Sequence, residues 1–183
     1  MSKCLGRASI QFDEPVYILE SASVVGKKEG EGPLGLLFDF VGEDDLFGKE
    51  SWEEAESALQ KQALGLALQK AGLRAEDINL MFAGDLLGQS IATSFGISGY
   101  QIPMLGVYGA CSTCGESLSL GAMTVAAGYA DYCLTTASSH FGSAEKQFRY
   151  RNSERNRPMP PPSLDSTVGT SSGFPMLQKT LIF

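Results

Sequence analysis

The chain is poor in the residues that most often announce chemistry. Of its 183 residues, one is histidine, one is tryptophan and four are cysteine. The cysteines are Cys4, Cys111, Cys114 and Cys133, and only Cys111 and Cys114 stand close together. A zinc site needs four ligands, commonly in two close pairs, so this set argues against one and no metal is expected. Positive charge is scarce too. Fourteen Lys and Arg face 21 Asp and Glu, a formal net charge of −7. Nucleic-acid binders present a basic face to phosphates, so nucleic acid is not expected as a partner. No stretch reaches the length of about 18 apolar residues that a spanning helix requires. Met1 to Pro15 also lacks the basic-then-apolar order of a signal peptide. These absences predict a chain made and kept in the cytoplasm, meeting a membrane only through a partner, with its cysteines as thiols.

What is present predicts a folded domain. Hydrophobic residues make up 43% and charged residues 19%, the usage of an ordinary globular chain. Val16 to Val25 (VYILESASVV) reads as a first strand ended by Gly26. Gly26 to Gly48 is glycine-rich and reads as a long excursion with little regular structure. Ser51 and Glu54 form a capping box ahead of an amphipathic helix that runs to about Ala71, with Gly72 as its stop. Ile78 to Ala83 is a short apolar strand, Gln89 to Phe95 a short helix, and Pro103 to Tyr108 a third strand. Ser112 to Gly128 is a helical run of small and apolar residues whose only charge is Glu116, which predicts burial on nearly every side. Tyr132 to Ala137 is a fourth strand. Strands alternating with helices predict an α/β fold with a mostly parallel sheet and ligands at the strands' carboxyl ends.

Three of those ends carry polar residues. Cys111, Ser112 and Thr113 follow the third strand, where a helix N-terminus favours an anion or a thiolate. Asp85 follows the second strand, and Ser139 and His140 follow the fourth. Other readings stay open: Cys111 as a small core thiol, Cys111 and Cys114 as a redox pair, Asp85 as a helix cap, His140 as a structural hydrogen-bonder. Arg149, Arg151, Arg155 and Arg157 form a basic cluster that either is solvated or folds over the crevice to pair with an anion.

The runs GPLGLLFD (Gly32 to Asp39), AGDLL (Ala83 to Leu87), YGACST (Tyr108 to Thr113) and TTASSHFGSAEKQFRY (Thr135 to Tyr150) resemble, in order, the stage V sporulation protein AD (SpoVAD) family. That resemblance implies a thiolase-like fold, a duplicated α/β unit of which this chain holds the N-terminal half. It implies binding of dipicolinic acid, with calcium as an open question, and its uptake into the developing spore together with SpoVA membrane proteins at the spore inner membrane. Full-length members are expected to be homodimers. The implied ligand-binding residues are Cys111, Ser112, Thr113, Asp85, His140, Ser139 and Arg149, without cofactor and without acyl transfer. The alternatives are an acyltransferase of thiolase or ketoacyl-synthase type using Cys111, and a scaffold subunit of a membrane complex. After Tyr150 the resemblance breaks up. Residues 1–166 are therefore expected to form the thiolase-like domain, and 167–183 a divergent tail left by truncation or a frame shift near Pro160.

Overall fold

The computed structural model of the chain describes residues 3–148, and residues 169–177 as backbone. An N-terminal hairpin, β1 (Lys3–Leu5) and β2 (Ser9–Gln11), precedes the main sheet. There follow β3 (Tyr17–Ile18), β4 (Ala22–Val25), the single-turn helix α1 (Lys27–Gly30) and β5 (Phe40–Val41). Next come α2 (Trp52–Ala71), β6 (Leu80–Gly84), α3 (Ile91–Ile97) and β7 (Met104–Gly106). The remainder is α4 (Thr113–Ala126), β8 (Tyr132–His140), α5 (Phe141–Phe148) and β9 (Gly169–Leu177). Among the described residues no helix is long and apolar enough to cross a membrane.

The sheet order is β5-β4-β9-β8-β6-β7, with β3 also paired to β9. Every neighbouring pair is parallel except those made by β9, which runs against β3, β4 and β8. The α/β class and the mostly parallel sheet expected from the sequence are both present. The single first strand is not. It divides into β3 and β4, which pair with the two ends of β9, Met176–Leu177 and Thr170–Gly173. Between those ends lies Pro175, which has no N–H to give a ladder. The fourth strand runs three residues past its expected end, to His140, because β9 pairs with all nine of its residues. β9 itself lies inside the segment 167–183 that the sequence marks as divergent, yet it occupies the middle of the sheet.

Helix α2 begins as its sequence dictates. Ser51 Oγ accepts the Glu54 N–H at 3.3 Å, although the returning Glu54 carboxylate takes the N–H of Glu50. Gly72, at φ 66°, closes the helix in the left-handed conformation that glycine adopts freely. Helices α2 and α3 cover one face of the sheet, where Leu64, Leu68 and Ile97 pack on Met81, Ala83 and Leu134. Helix α4 covers the other, where Val125, Leu118 and Ala122 pack with Phe82 and Cys133. The expectation that α4 is enclosed on nearly every side is corrected here. Thr113, Ser117, Gly121 and Val125 are buried, one stripe at four-residue spacing, while Leu120 and Met123 are 40% and 38% exposed. A run of small residues fits a one-sided helix as well as an enclosed one, because it carries few charges to mark the wet side.

Candidate functional site

From β7 the chain turns through Val107, Tyr108 and Gly109 into a 3-10 turn, Ala110–Ser112, that leads directly into α4. The turn is fastened to the end of β6. Val107 N–H donates to the Ala83 carbonyl at 2.8 Å, and the Tyr108 hydroxyl to that of Leu86 at 3.3 Å. Gly84 lets it lie close, since a Cβ there would stand 2.0 Å from the Val107 carbonyl oxygen and 2.7 Å from Thr113 Cγ2. Ala110 has φ +50°, a left-handed conformation that costs a non-glycine residue energy and persists only where neighbours enforce it. Here Gly109 N–H donates to Thr113 Oγ1 at 3.2 Å, and the Ser112 hydroxyl donates to the Gly109 carbonyl at 2.7 Å. Ser112 Oγ also touches the Glu116 carboxylate. The outcome is an exposed Cys111, an exposed Ser112, a buried Thr113 and a half-buried Cys114, both thiols free. Among the described residues no group of three or more His, Cys, Asp or Glu could hold a metal ion.

The expected site residues share one edge of the sheet but not one face. Side chains alternate along a strand, and the core assigns the alternation. In β6, Phe82 packs with the α4 layer, while Met81 and Ala83 pack with α2 and α3. In β8, Cys133 belongs to the α4 layer and Leu134 to the α2 layer. Counting by twos puts Ser139 on the α4 face with Cys111, Ser112 and Thr113, and His140 on the α2 face. Asp85 also faces α2 and α3 through the contacts described next. Arg149 and the rest of the arginine cluster lie outside the described residues.

On the α2 face the strand ends rest on a buried polar network that sequence reading did not find. Asp85 is fully buried, with Oδ1 accepting Leu87 N–H at 2.8 Å and Oδ2 accepting Thr93 N–H and hydroxyl at 2.7 and 2.5 Å. It shapes the loop into α3, and both its oxygens are engaged within the chain. Gln60 Nε2 reaches Thr93 Oγ1 at 3.2 Å, and Gly84 O and Ser138 Oγ at 3.4 Å. Ser138 Oγ and Ser143 Oγ lie 2.9 and 2.7 Å from the two oxygens of Glu56. Burial pushes the Glu56 carboxyl up to about 7, opposed by the hydroxyls of Ser143 and Ser138 and aided by the charge of Asp85. The signal available in the sequence was Glu56 and Gln60 four residues apart on the helix, next to the apolar stripe of Ala55, Leu59 and Ala63.

His140 is fully buried, and its Nε2 lies 2.8 Å from the Asp45 carbonyl oxygen. A carbonyl only accepts, so Nε2 carries the proton and Nδ1 holds a lone pair, buried without a partner. Burial lowers the imidazole's pKa, only partly offset by the Asp45 carbonyl, which keeps the ring neutral at pH 7. In this geometry the N–H of His140 is engaged by the Asp45 carbonyl.

The Asp85 contacts support a direct test. Asp85→Asn sets an amide NH2 against either the Leu87 N–H or the Thr93 pair, whichever way it turns. The expected loss is about 3 kcal/mol in urea denaturation, the cost of buried groups left unsatisfied. A loss below about 0.5 kcal/mol would show that something else holds the loop.

The sequence profile of the family described as stage V sporulation protein AD (SpoVAD) matches residues 6–180. The chain belongs to the SpoVAD family. The family match runs on past Tyr150, after which the resemblance of the sequence runs breaks up, and past residue 166 to take in β9. Stage V sporulation protein AD of Bacillus subtilis (strain 168) is 36% identical over 178 residues, covering 97% of this chain and 52% of that protein. This SpoVAD-family chain thus spans about half the length of the curated relative it matches.

Solved structures agree on the fold. The priming β-ketosynthase of the R1128 polyketide pathway superposes with a TM-score of 0.59 at 14% identity, over 92% of this chain and 51% of that one. A variant of OleA from Xanthomonas campestris gives 0.58 at 17%, over 91% and 57%. The 3-oxoacyl-(acyl carrier protein) synthase III FabH of Xanthomonas oryzae pv. oryzae gives 0.54 at 19%, again over 91% and 57%. At such identities the likeness shows a thiolase-like fold, of which this SpoVAD-family chain covers about half.

Proposed function

We propose that this chain is part of a sporulation protein that binds dipicolinic acid and, with SpoVA membrane proteins at the spore inner membrane, supports its uptake into the developing spore without acyl transfer. Membership of the SpoVAD family supports the sporulation role. The observation that carries the binding site is the strained turn at Ala110, which leaves Cys111 and Ser112 exposed at the N-terminal end of a 14-residue helix. Dipicolinate is a planar pyridine with two carboxylates, and the positive end of a helix dipole with an exposed thiol and hydroxyl beside it suits one of them. Ser139 lies on the same face of the sheet by the alternation along β8. Asp85 and His140 support the strand ends from behind, and Arg149 would add a bidentate charge. Glu116 opposes the ligand, because its carboxylate lies against Ser112 Oγ.

Calorimetry with dipicolinate tests this reading. Saturable binding is expected, weakened about fivefold by Ser112→Ala and by Cys111→Ala, the worth of one hydrogen bond each. Glu116→Gln should tighten it, since a like charge leaves the site. Binding indifferent to all three substitutions overturns the assignment. The ketosynthase likeness keeps acyl transfer in view, but that chemistry needs a general base beside the thiol. The chain's one histidine faces the other side of the sheet, with its N–H engaged. A burst of Cys111 acylation by an acyl thioester would establish transfer instead.

A further inference from the structure

The buried network on the α2 face has a fixed number of protons. Ser143 Oγ lies 2.7 Å from Glu56 Oε2 and 2.9 Å from the His140 carbonyl oxygen. A hydroxyl has one hydrogen to donate. Were Glu56 ionised, one of those two contacts would set oxygen against oxygen with no proton between them. A proton on Oε2 resolves both, because Glu56 then donates to Ser143 and Ser143 donates to His140. The other oxygen fits the same order, with Gln60 Nε2 donating to Ser138 Oγ and Ser138 donating to Glu56 Oε1. The chain of donors thus runs one way through five side chains and backbone groups, and it closes only with a neutral Glu56.

We propose that Glu56 carries a proton in the folded chain and acts as a pH-sensitive latch, tying α2 to the end of β8 and the start of α5 while protonated and releasing them when it ionises. Among the described residues Glu56 is the side chain that bonds β8 and α5 to α2 at once, through Ser138 and Ser143. Glu56 is fully buried, as is Ser143 to within 1%. An ionised carboxylate there lacks water and faces Asp85 beyond Gln60, so ionisation favours opening. The remaining charged groups around it are accounted for. Glu53, one turn earlier on α2, is paired with Lys146 of α5 at 2.6 Å, and His140 is neutral, held by the Asp45 carbonyl.

The sign follows from the direction of the shift. A carboxyl at about 7 when folded, against an ordinary 4.5, favours the folded state fully below pH 4.5 and loses that advantage as pH rises through 7. Between those limits one proton is released on unfolding, so the folding constant falls about tenfold per pH unit. His140, shifted down from 6.5 by burial, acts with the opposite sign, costing stability as pH falls rather than as it rises, and so does not imitate the latch.

The test uses the full chain, titrated from pH 5 to 9. Infrared spectra should show a protonated-carboxyl band at pH 6 that fades by pH 8 and is missing in Glu56→Gln. Amide exchange at 138–148, corrected for the intrinsic pH dependence, should quicken from pH 5 to about 7 in the wild type and level off above it. In Glu56→Gln, whose amide can donate to Ser143 as the acid does, it should stay flat. No such band, a band that survives in Glu56→Gln, or the same exchange profile in both proteins overturns the proposal. The wild-type band is decisive even if the variant fails to fold.

Discussion

A chain ended at residue 166 should lose its cooperative unfolding transition. β9 is the only described strand that joins β4 to β8, so its removal cuts the sheet into β5-β4 and β8-β6-β7. Nine residues of β8 and four of β4 lose their partners along that line. Strand amides and carbonyls left in an apolar interior are costly, and the sum exceeds the 5–15 kcal/mol or so that holds a typical domain folded. Helix α2 suffers too, because it packs across the same seam with Val24 on one side and Leu134 on the other. Thermal melts followed by circular dichroism check this. Residues 1–166 melting at the temperature of the full chain would show that β9 adds nothing, and that the final segment is as dispensable as its sequence suggests.

That strand shows where sequence reading stops. GTSSGFPML has two glycines and a proline in nine residues, a composition that argues against a strand. Its neighbours on both sides impose the conformation, and no local signal reports neighbours. By contrast, the bounds of α2 were legible in Ser51, Glu54 and Gly72, whose roles are local. The place of Cys111 at the head of α4 was legible as well, since a strand, a glycine and a helical run follow in order. The face on which each strand-end residue sits was not. LMFAG is buried on both faces, and without alternation of polar and apolar residues nothing tells Asp85 from Gly84. The separation of Asp85 and His140 from Cys111 therefore came only with the layers of the core.

Gly84→Ala should be among the most damaging substitutions available, although it adds one methyl group. The new Cβ would meet the Val107 carbonyl oxygen at 2.0 Å, a backbone atom that cannot swing aside. Moving it breaks the bond from Val107 N–H to Ala83 and lifts the turn that carries Ala110 and Cys111. A loss of more than about 4 kcal/mol is expected, beyond ordinary overpacking because the obstacle is main chain. Dipicolinate binding should fall with it, if the turn is the binding site. Gly115→Ala provides the contrast. A Cβ at Gly115 meets nothing within 4 Å, and it lies in the first turn of α4 on the exposed side. There the helix should gain up to about 1 kcal/mol from the better helix former. Urea denaturation of the two variants separates the causes, since a general intolerance of α4 to added bulk would lower both. If Gly84→Ala unfolds within about 1 kcal/mol of the wild type, the close approach of β6 to the cysteine turn is not what places that turn, and the strain at Ala110 must be held from the helix side alone.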